Sequence, residues 1–206
     1  MPIPHAQTKH RVLLDTMLDF VAGHSDQTVN PFRIALDAWG NDWVDVDPAH
    51  LPASDKLEQM IAQSNALTRP LLEQFVTERA VLHWEQAYSR SDSEVEDHML
   101  ANYGYAEVVG KQGPFLSSTV RAGIALYGPD INYPLHQHQA EEIYVVLAGR
   151  AQFRLSTNEP ATRVAGDVIH HPSMLPHGLH TGGDTLVIFY VWKGGNLREK
   201  PSFIST

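Results

Sequence analysis

The chain has 206 residues, of which 43% are hydrophobic, and a formal net charge of −9. This length suits one domain or one domain with a helical extension, and the acidic charge without a basic run argues against nucleic acid or an anionic membrane as the main partner. The chain has no cysteine, so any metal must be held by nitrogen and oxygen. No apolar stretch reaches the roughly 18–20 residues that span a bilayer, and residues 1–11 lack the layout of a signal peptide, so we expect a soluble cytoplasmic protein.

The first half of the chain has the apolar spacing of helices. Residues 8–23 place hydrophobic side chains at intervals of three and four, which is typical of an amphipathic helix. Asn30-Pro31 has the form of an N-cap followed by a proline at the first helical position, and Ser54 is placed to cap another helix after a proline-containing connection. We predict helices over residues 8–23, 30–39, 54–66, 70–88 and 95–100.

After Tyr103 the pattern changes to short strands separated by Gly, Pro, Asn and Asp. Such spacing favours an antiparallel sandwich or barrel. The predicted fold class is α+β, mainly β, with a helical N-terminal half packed on a C-terminal β-barrel. The predicted segments are residues 1–104 for the helical region, 105–193 for the barrel and 194–206 for an exposed tail. The predicted strands are 105–109, 119–127, 142–147, 151–155, 167–171 and 185–192.

The spacing of metal-ligating residues is most informative between His136 and Tyr144. Side chains alternate between faces along a strand, so His136 and His138 point the same way, and so do Glu142 and Tyr144. If the chain turns back over residues 139–141, the carboxylate faces the two imidazoles. A third histidine, for which His177 is the obvious candidate, would complete a site that suits Zn, Fe, Mn, Ni or Cu better than Ca or Mg. The alternative is a polar loop beside an ordinary strand.

Two spaced motifs in the second half resemble the signature motifs of the cupin superfamily, and the resemblance covers residues 119–192. Seven residues follow Gly128 where five are usual, Met174 stands where glycine is usual, and Thr181 stands where asparagine is usual. The resemblance implies a double-sheet jelly-roll barrel that binds one divalent metal through His136, His138, Glu142 and His177. The motifs are Gly128-x7-His136-x-His138-x3-Glu142-x6-Gly149 and Gly166-x5-Pro172-x4-His177.

A narrower resemblance is to the cupin-type dimethylsulfoniopropionate lyases of the DddQ group. It rests on chain length, on a helical half before a single barrel, on the segment from Tyr133 to Tyr144 with tyrosines on both sides of the histidines, and on Trp192 at the end of the last strand. These enzymes split dimethylsulfoniopropionate into dimethyl sulfide and acrylate. The resemblance therefore implies a carbon–sulfur lyase with a small-molecule substrate and one Zn, Fe or Mn ion.

The implied reaction needs a base that removes the proton α to the substrate carboxylate. It also needs a metal that binds this carboxylate and stabilises the negative charge that develops on it. Tyr144 is the first choice for the base, since a nearby divalent cation favours its phenolate. The alternative is a packing residue whose hydroxyl contacts a ligand.

A sulfonium group also needs aromatic faces, which attract cations. Tyr133, Trp192 and Tyr127 are candidates to bind the substrate, with Tyr190 as a further aromatic, and each has the alternative role of core or rim packing. His180 is a further candidate for a role near the metal or on the substrate side. His170 and His171 point to opposite faces, so at most one of them faces inward.

Two other classes of function remain open on these residues. A mononuclear iron dioxygenase with the cupin fold also uses three histidines and one glutamate, with Tyr144 as a spectator. A binding or sensor module would hold a ligand without transforming it. Oxygen uptake on turnover separates the first alternative from a lyase, because elimination consumes no oxygen.

Overall fold

The structure is a computed structural model that describes residues 5–35, Trp39, 42–156 and 158–204. The first half is helical, as predicted, but much of it is in short 3-10 turns. None of the helices in these described ranges is long and apolar enough to cross a bilayer. The α-helices are α1 (His5–Gly23), α2 (Asn30–Ile34), α3 (Arg69–Glu78) and α4 (Asp97–Asn102), and the 3-10 helices are Gln27–Val29, Pro52–Lys56, Glu58–Gln63 and Arg79–Val81.

Three predicted helices differ from the structure. The predicted helix 54–66 is a pair of 3-10 helices. The helix predicted to end at Trp39 ends at Ile34, and residues 36–38 lie outside the described part of the chain. The predicted helix 70–88 ends as α-helix at Glu78, because buried Trp84 and its neighbour Glu85 form strand β1 (Trp84–Glu85) against the sheet. Pairing at the sheet edge outweighs the helical spacing there.

The strands form one curled sheet in the order β1-β2-β4-β10-β6-β9-β5-β11, with β3 added to β2 and with β7 and β8 added to β6. All pairings are antiparallel except that of β2 with β3. The predicted segment boundary at residue 105 falls inside β2. The remaining strands are β2 (Tyr103–Gly110), β3 (Phe115–Leu116), β4 (Val120–Tyr127), β5 (Asn132–Gln137), β6 (Glu141–Leu155), β7 (Ala161–Val164), β8 (Val168–His171), β9 (His177–His180), β10 (Leu186–Lys193) and β11 (Ser202–Phe203).

Strand β6 joins the two halves of the barrel. Its first part lies between β10 and β8, and its second part lies between β9 and β7. The sequence predicted two strands here because Gly149 interrupts the pattern, but the strand is continuous. Gly149 has φ +76°, and a Cβ atom would lie 1.9 Å from the carbonyl oxygen of Thr185, so this position admits only glycine without rearrangement.

Alternation along β10 separates two apolar cores. Phe189 and Val191 belong to the core under the helices, together with residues of α1 and α3. Tyr190 and Trp192 belong to the second core, inside the barrel. Antiparallel pairing places Trp192 opposite Glu142 and Tyr190 opposite Tyr144, so aromatic and ionisable residues share the inner face.

The prediction that residues 194–206 form an exposed tail is wrong for part of this segment. Leu197 is buried in the inner core, and the backbone N–H of Ile204 donates to Leu135. Strand β11 pairs Ser202 with Gln137 and Phe203 with His136. The last strand of the chain thus covers the edge of β5, which would otherwise expose unpaired backbone groups.

Candidate active site

Three buried histidines share one hydrogen-bonding arrangement. The Nδ1 atoms of His136, His138 and His177 lie 3.0, 2.9 and 2.9 Å from the carbonyl oxygens of Pro134, Ala140 and Leu175. Donation from Nδ1 fixes the tautomer and leaves the Nε2 lone pair free to bind a metal. The Nε2 atom of His177 is buried and has no hydrogen-bond partner in the described part of the chain.

Glu142 brings a carboxylate to the same point. Its Oε2 atom lies 3.1 Å from Nε2 of His138 and 3.4 Å from Nε2 of His177, and its Oε1 atom accepts a hydrogen bond from the indole N–H of Trp192. Two donors on one ion with bonds of about 2.1 Å are roughly 3.0–3.4 Å apart, so these separations fit a shared transition metal. The ligand nitrogens of the three histidines lie within 4.8 Å of one another. The structure thus brings together all four residues predicted as ligands.

The pKa values of Glu142 and His136 favour a bound cation. Burial would lower the pKa of His138, but its contact with Glu142 raises it. Burial alone would raise the pKa of Glu142, but the imidazoles of His138, His171 and His177 around its carboxylate bring it well below its ordinary value. Burial, followed by the neighbouring His177, lowers the pKa of His136 well below 6.5. A charged carboxylate beside a neutral imidazole is the donor set that a divalent transition metal needs.

His171 is not among the predicted metal ligands, but the structure places it in contact with two of them, Glu142 and His177. His171 is fully buried, pairs with Glu142 across the strands, and has Nδ1 3.2 Å from Oε2 of Glu142. Its ring stacks on that of His177 at 4.0 Å and 12°. Glu142, His171 and His177 also bring donor atoms within 4.8 Å of one another. Because parallel rings direct their in-plane lone pairs side by side, we assign His177 as the ligand and His171 as a residue that packs against it and contacts Glu142. His170 faces away and contacts Glu141.

A cavity of about 330 Å³ lies beside this cluster, with Glu142 and Tyr144 in its wall. Tyr133 stacks on His136 at 4.1 Å, and Trp192 stacks on His138 at 4.0 Å. Aromatic side chains therefore separate two of the histidines from the open space. All seven tyrosines of the chain line the cavity, namely Tyr88, Tyr103, Tyr105, Tyr127, Tyr133, Tyr144 and Tyr190.

Tyr144, the predicted base, lies in this wall and hydrogen-bonds with Tyr127. Burial, and after it the charge of Glu142, raises the pKa of Tyr144 well above 10. Of the predicted substrate-binding residues, Tyr133, Tyr127 and Trp192 line the cavity.

His180, the remaining predicted substrate-binding residue, does not line the cavity. It is exposed, and it stands three residues after His177 on one strand, which turns the two side chains to opposite faces.

Several residues of the cavity wall come from parts of the chain to which sequence reasoning gave no role in the site. Tyr88, from the helical half, hydrogen-bonds through its hydroxyl to that of Tyr133 at 2.7 Å. Arg121 lies with its guanidinium 5.1 Å from the ring of Trp192. Residues 197–201, from the predicted tail, form another part of the wall. The strong enrichment of tyrosine after residue 87 was a sequence signal for Tyr88, and no sequence signal pointed to Arg121 or to residues 197–201.

The fold and the site together define a cupin, a curled β-sheet with a cluster of three histidines and one glutamate inside. Residues 29–188 match the protein family described as dimethylsulfoniopropionate lyase, so the chain belongs to this family of carbon–sulfur lyases. The chain is similar to dimethylsulfoniopropionate lyase DddQ of Ruegeria pomeroyi, with 28% identity over 149 residues. The aligned residues make up 72% of this chain and 73% of that protein.

Solved structures agree with this family. One chain among the crystal structures of DMSP lyases RdDddP and RnDddQII is similar with a TM-score of 0.83 and 26% identity, over 97% of this chain and 100% of that one. The crystal structure of DMSP lyase DddQ from Ruegeria pomeroyi DSS-3 is similar with a TM-score of 0.81 and 25% identity, over 95% of this chain and 96% of that one. Both similarities include the helical half as well as the barrel.

Proposed function

We propose that this protein cleaves dimethylsulfoniopropionate into dimethyl sulfide and acrylate, using one divalent transition metal held by His136, His138, Glu142 and His177. The observation that carries the proposal is the convergence of these four side chains beside a cavity lined by tyrosines. In this proposal residues 105–193 provide the metal-binding barrel, and the region predicted over residues 1–104 adds Tyr88 and Tyr103 to the cavity wall. Residues of α1 and α3 pack against the outer face of the barrel.

The donor set fits zinc, iron or manganese. It contains imidazole nitrogens and a carboxylate, and His177 has a buried Nε2 that needs a partner. A divalent cation at these donors would offset the negative charge that helps to raise the Tyr144 pKa, and would stabilise the charge that develops on the substrate carboxylate.

We propose Tyr144 as the base that removes the α-proton. It lies two residues after Glu142 on the inner face of β6 and lines the cavity. Removal of the α-proton leaves an electron pair that forms the carbon–carbon double bond of acrylate. The bond between the β-carbon and sulfur breaks, sulfur keeps its electron pair, and dimethyl sulfide leaves neutral. The reaction therefore releases one proton, which Tyr144 passes to solvent after turnover.

The aromatic wall provides the remaining part of the site. Trp192, Tyr133 and Tyr127 line the same cavity as Tyr144. Aromatic rings attract a weakly hydrated cation such as a dimethylsulfonium group. Burial of the substrate among these rings also excludes water from the acidic α-carbon.

One experiment tests the function. The purified protein, loaded in separate samples with zinc, iron and manganese, is incubated with dimethylsulfoniopropionate while headspace dimethyl sulfide and dissolved oxygen are measured. We expect dimethyl sulfide and acrylate in equal amounts, no oxygen uptake, and no product after the metal is removed by a chelator. Oxygen consumption in proportion to substrate loss would instead support a dioxygenase, and no product with any metal would refute the lyase.

The variant Trp192→Phe tests whether the indole N–H holds Glu142 in position to bind the metal. In Trp192→Phe an aromatic ring still covers His138, but the N–H that donates to Oε1 of Glu142 is lost. We expect metal affinity to fall about tenfold, as for other outer partners of metal ligands. Competition with a chromophoric chelator measures the affinity.

Trp84→Phe is the matched control for this change. It deletes a buried indole N–H, which donates to the Arg79 carbonyl at 3.2 Å, at a position that does not contact the histidines. Its metal affinity should equal that of the unmodified protein. A Trp192→Phe protein that binds metal as tightly as this control would show that the indole does not position Glu142.

A further inference from the structure

Four glutamates line the cavity, and three of them have partners for their carboxylates. Glu142 accepts from Trp192, and Glu85 hydrogen-bonds with Tyr105. Glu107 accepts from Arg121 Nε at 2.6 Å and from two backbone N–H groups, those of Gln112 and Gly113. Buried carboxylates are normally paired in this way, because an unpaired one loses hydration without compensation.

Glu199 is the exception among the four. Its Oε2 atom is buried, yet it has no hydrogen-bond partner in the part of the chain that the structure describes. Of the four cations that line the cavity, Arg121 pairs with Glu107 and Lys200 pairs with Asp92, and neither of the other two, Lys111 and Arg198, hydrogen-bonds to this oxygen. An unpaired acceptor in the wall of a substrate cavity indicates that a ligand group supplies the missing positive charge.

The segment that carries Glu199 is anchored on both sides, so the position of the carboxylate is defined. Before it, the Leu197 carbonyl accepts from Arg121 Nη1 at 3.3 Å, and the Glu199 backbone N–H donates to Asn196 at 3.1 Å. After it, Phe203 of β11 pairs with His136. Glu199 is also close enough to the metal cluster for its charge to act on His138.

We infer that Glu199 is the counter-ion for the permanent positive charge of the substrate, which makes this cavity selective for zwitterions with a carboxylate at one end and a sulfonium or quaternary ammonium group at the other. The inference rests on the proposed function and names a specificity-determining residue for it. A methylated cation has no N–H or O–H group to donate, so aromatic faces and a nearby negative charge are the means by which a protein recognises it. The cavity offers both, in its tyrosines and in Glu199.

The test compares two probes of the same shape that differ by one charge, the charged one carrying trimethylamine, which is a much poorer leaving group than dimethyl sulfide. These are 3-(trimethylammonio)propanoate, which is a zwitterion, and 4,4-dimethylpentanoate, in which carbon replaces nitrogen. Their dissociation constants for the metal-loaded protein are measured by isothermal titration calorimetry. We expect the unmodified protein to prefer the zwitterion, and Glu199→Gln, which keeps the shape of the side chain, to lose about tenfold or more of this preference.

Two further variants define the outcome. Glu199→Asp keeps the charge and should keep most of the preference, and Glu73→Gln, an exposed glutamate on α3, should leave it unchanged. Equal binding of both probes to the unmodified protein, binding of neither, or an unchanged preference in Glu199→Gln would overturn the inference. Because the assay needs no turnover, a protein that prefers the zwitterion but releases no dimethyl sulfide would refute the proposed function and leave the role of Glu199 standing.

Discussion

Replacing Tyr144 with phenylalanine should lower kcat for dimethyl sulfide release by at least about 100-fold while the protein keeps its metal. General bases commonly contribute factors of 100 to 10,000, and a phenyl ring cannot accept the α-proton. The ring still fills the space beside His171, with which it makes an edge-to-face contact at 4.6 Å, so the metal ligands stay in place. Headspace chromatography gives the rate, and elemental analysis of the dialysed protein gives the metal content.

Tyr103→Phe is the matched control for the Tyr144 variant. Tyr103 lines the same cavity, and its hydroxyl accepts a hydrogen bond from the backbone N–H of Ala87 at 2.6 Å. Loss of this bond should cost about 1 kcal/mol of folding free energy and change kcat less than tenfold. A Tyr144→Phe protein with the turnover of the unmodified protein would remove Tyr144 from the role of base.

The metal cluster could be predicted from the sequence because its donors are close together along the chain. His136, His138 and Glu142 lie within seven residues, at the end of β5 and the start of β6, which follow each other in the chain, so alternation along these segments is enough to place them on one face. His177 was predicted by its place in the second motif, and the structure shows why it reaches the cluster. Strands β5 and β9 are neighbours, with His136 directly opposite His177.

The position of His171, which packs against the metal ligands, could not be predicted in the same way. His171 and His170 are adjacent in sequence, and alternation alone leaves open which of them faces inward. The answer depends on the register of β6 with β8, which places His171 opposite Glu142. Register between strands 29 residues apart is set by the packing of both faces and not by any local pattern.

The cavity wall was the least predictable part because its residues come from distant segments. Tyr88 lay in a region with helical spacing, and its contact with Tyr133 joins positions 45 residues apart. Glu199 lay in a segment with turn residues and no apolar period, which predicted an exposed tail. Pairing of β11 with β5 and burial of Leu197 hold that segment against the barrel, and these are tertiary interactions.

Removal of a metal ligand should have the largest effect on the metal content. His177→Ala and His138→Ala each delete one of three imidazoles, and Glu142 loses a neighbouring imidazole in either variant. We expect metal affinity to fall by more than about 100-fold, beyond the 10- to 100-fold range for outer partners, so that dialysed protein contains little metal and releases no dimethyl sulfide.

The matched control is His180→Ala, which removes an imidazole from the same strand as His177 but from its exposed face. This variant should keep both metal and activity. Circular dichroism and thermal unfolding show whether each variant keeps its fold, since truncation of the buried His177 side chain also leaves a small cavity. A folded His177→Ala protein with one metal per chain would mean that the cation is held by other donors. In that case the pair Glu142 and His171, which already share a contact at 3.2 Å, would be the first to examine.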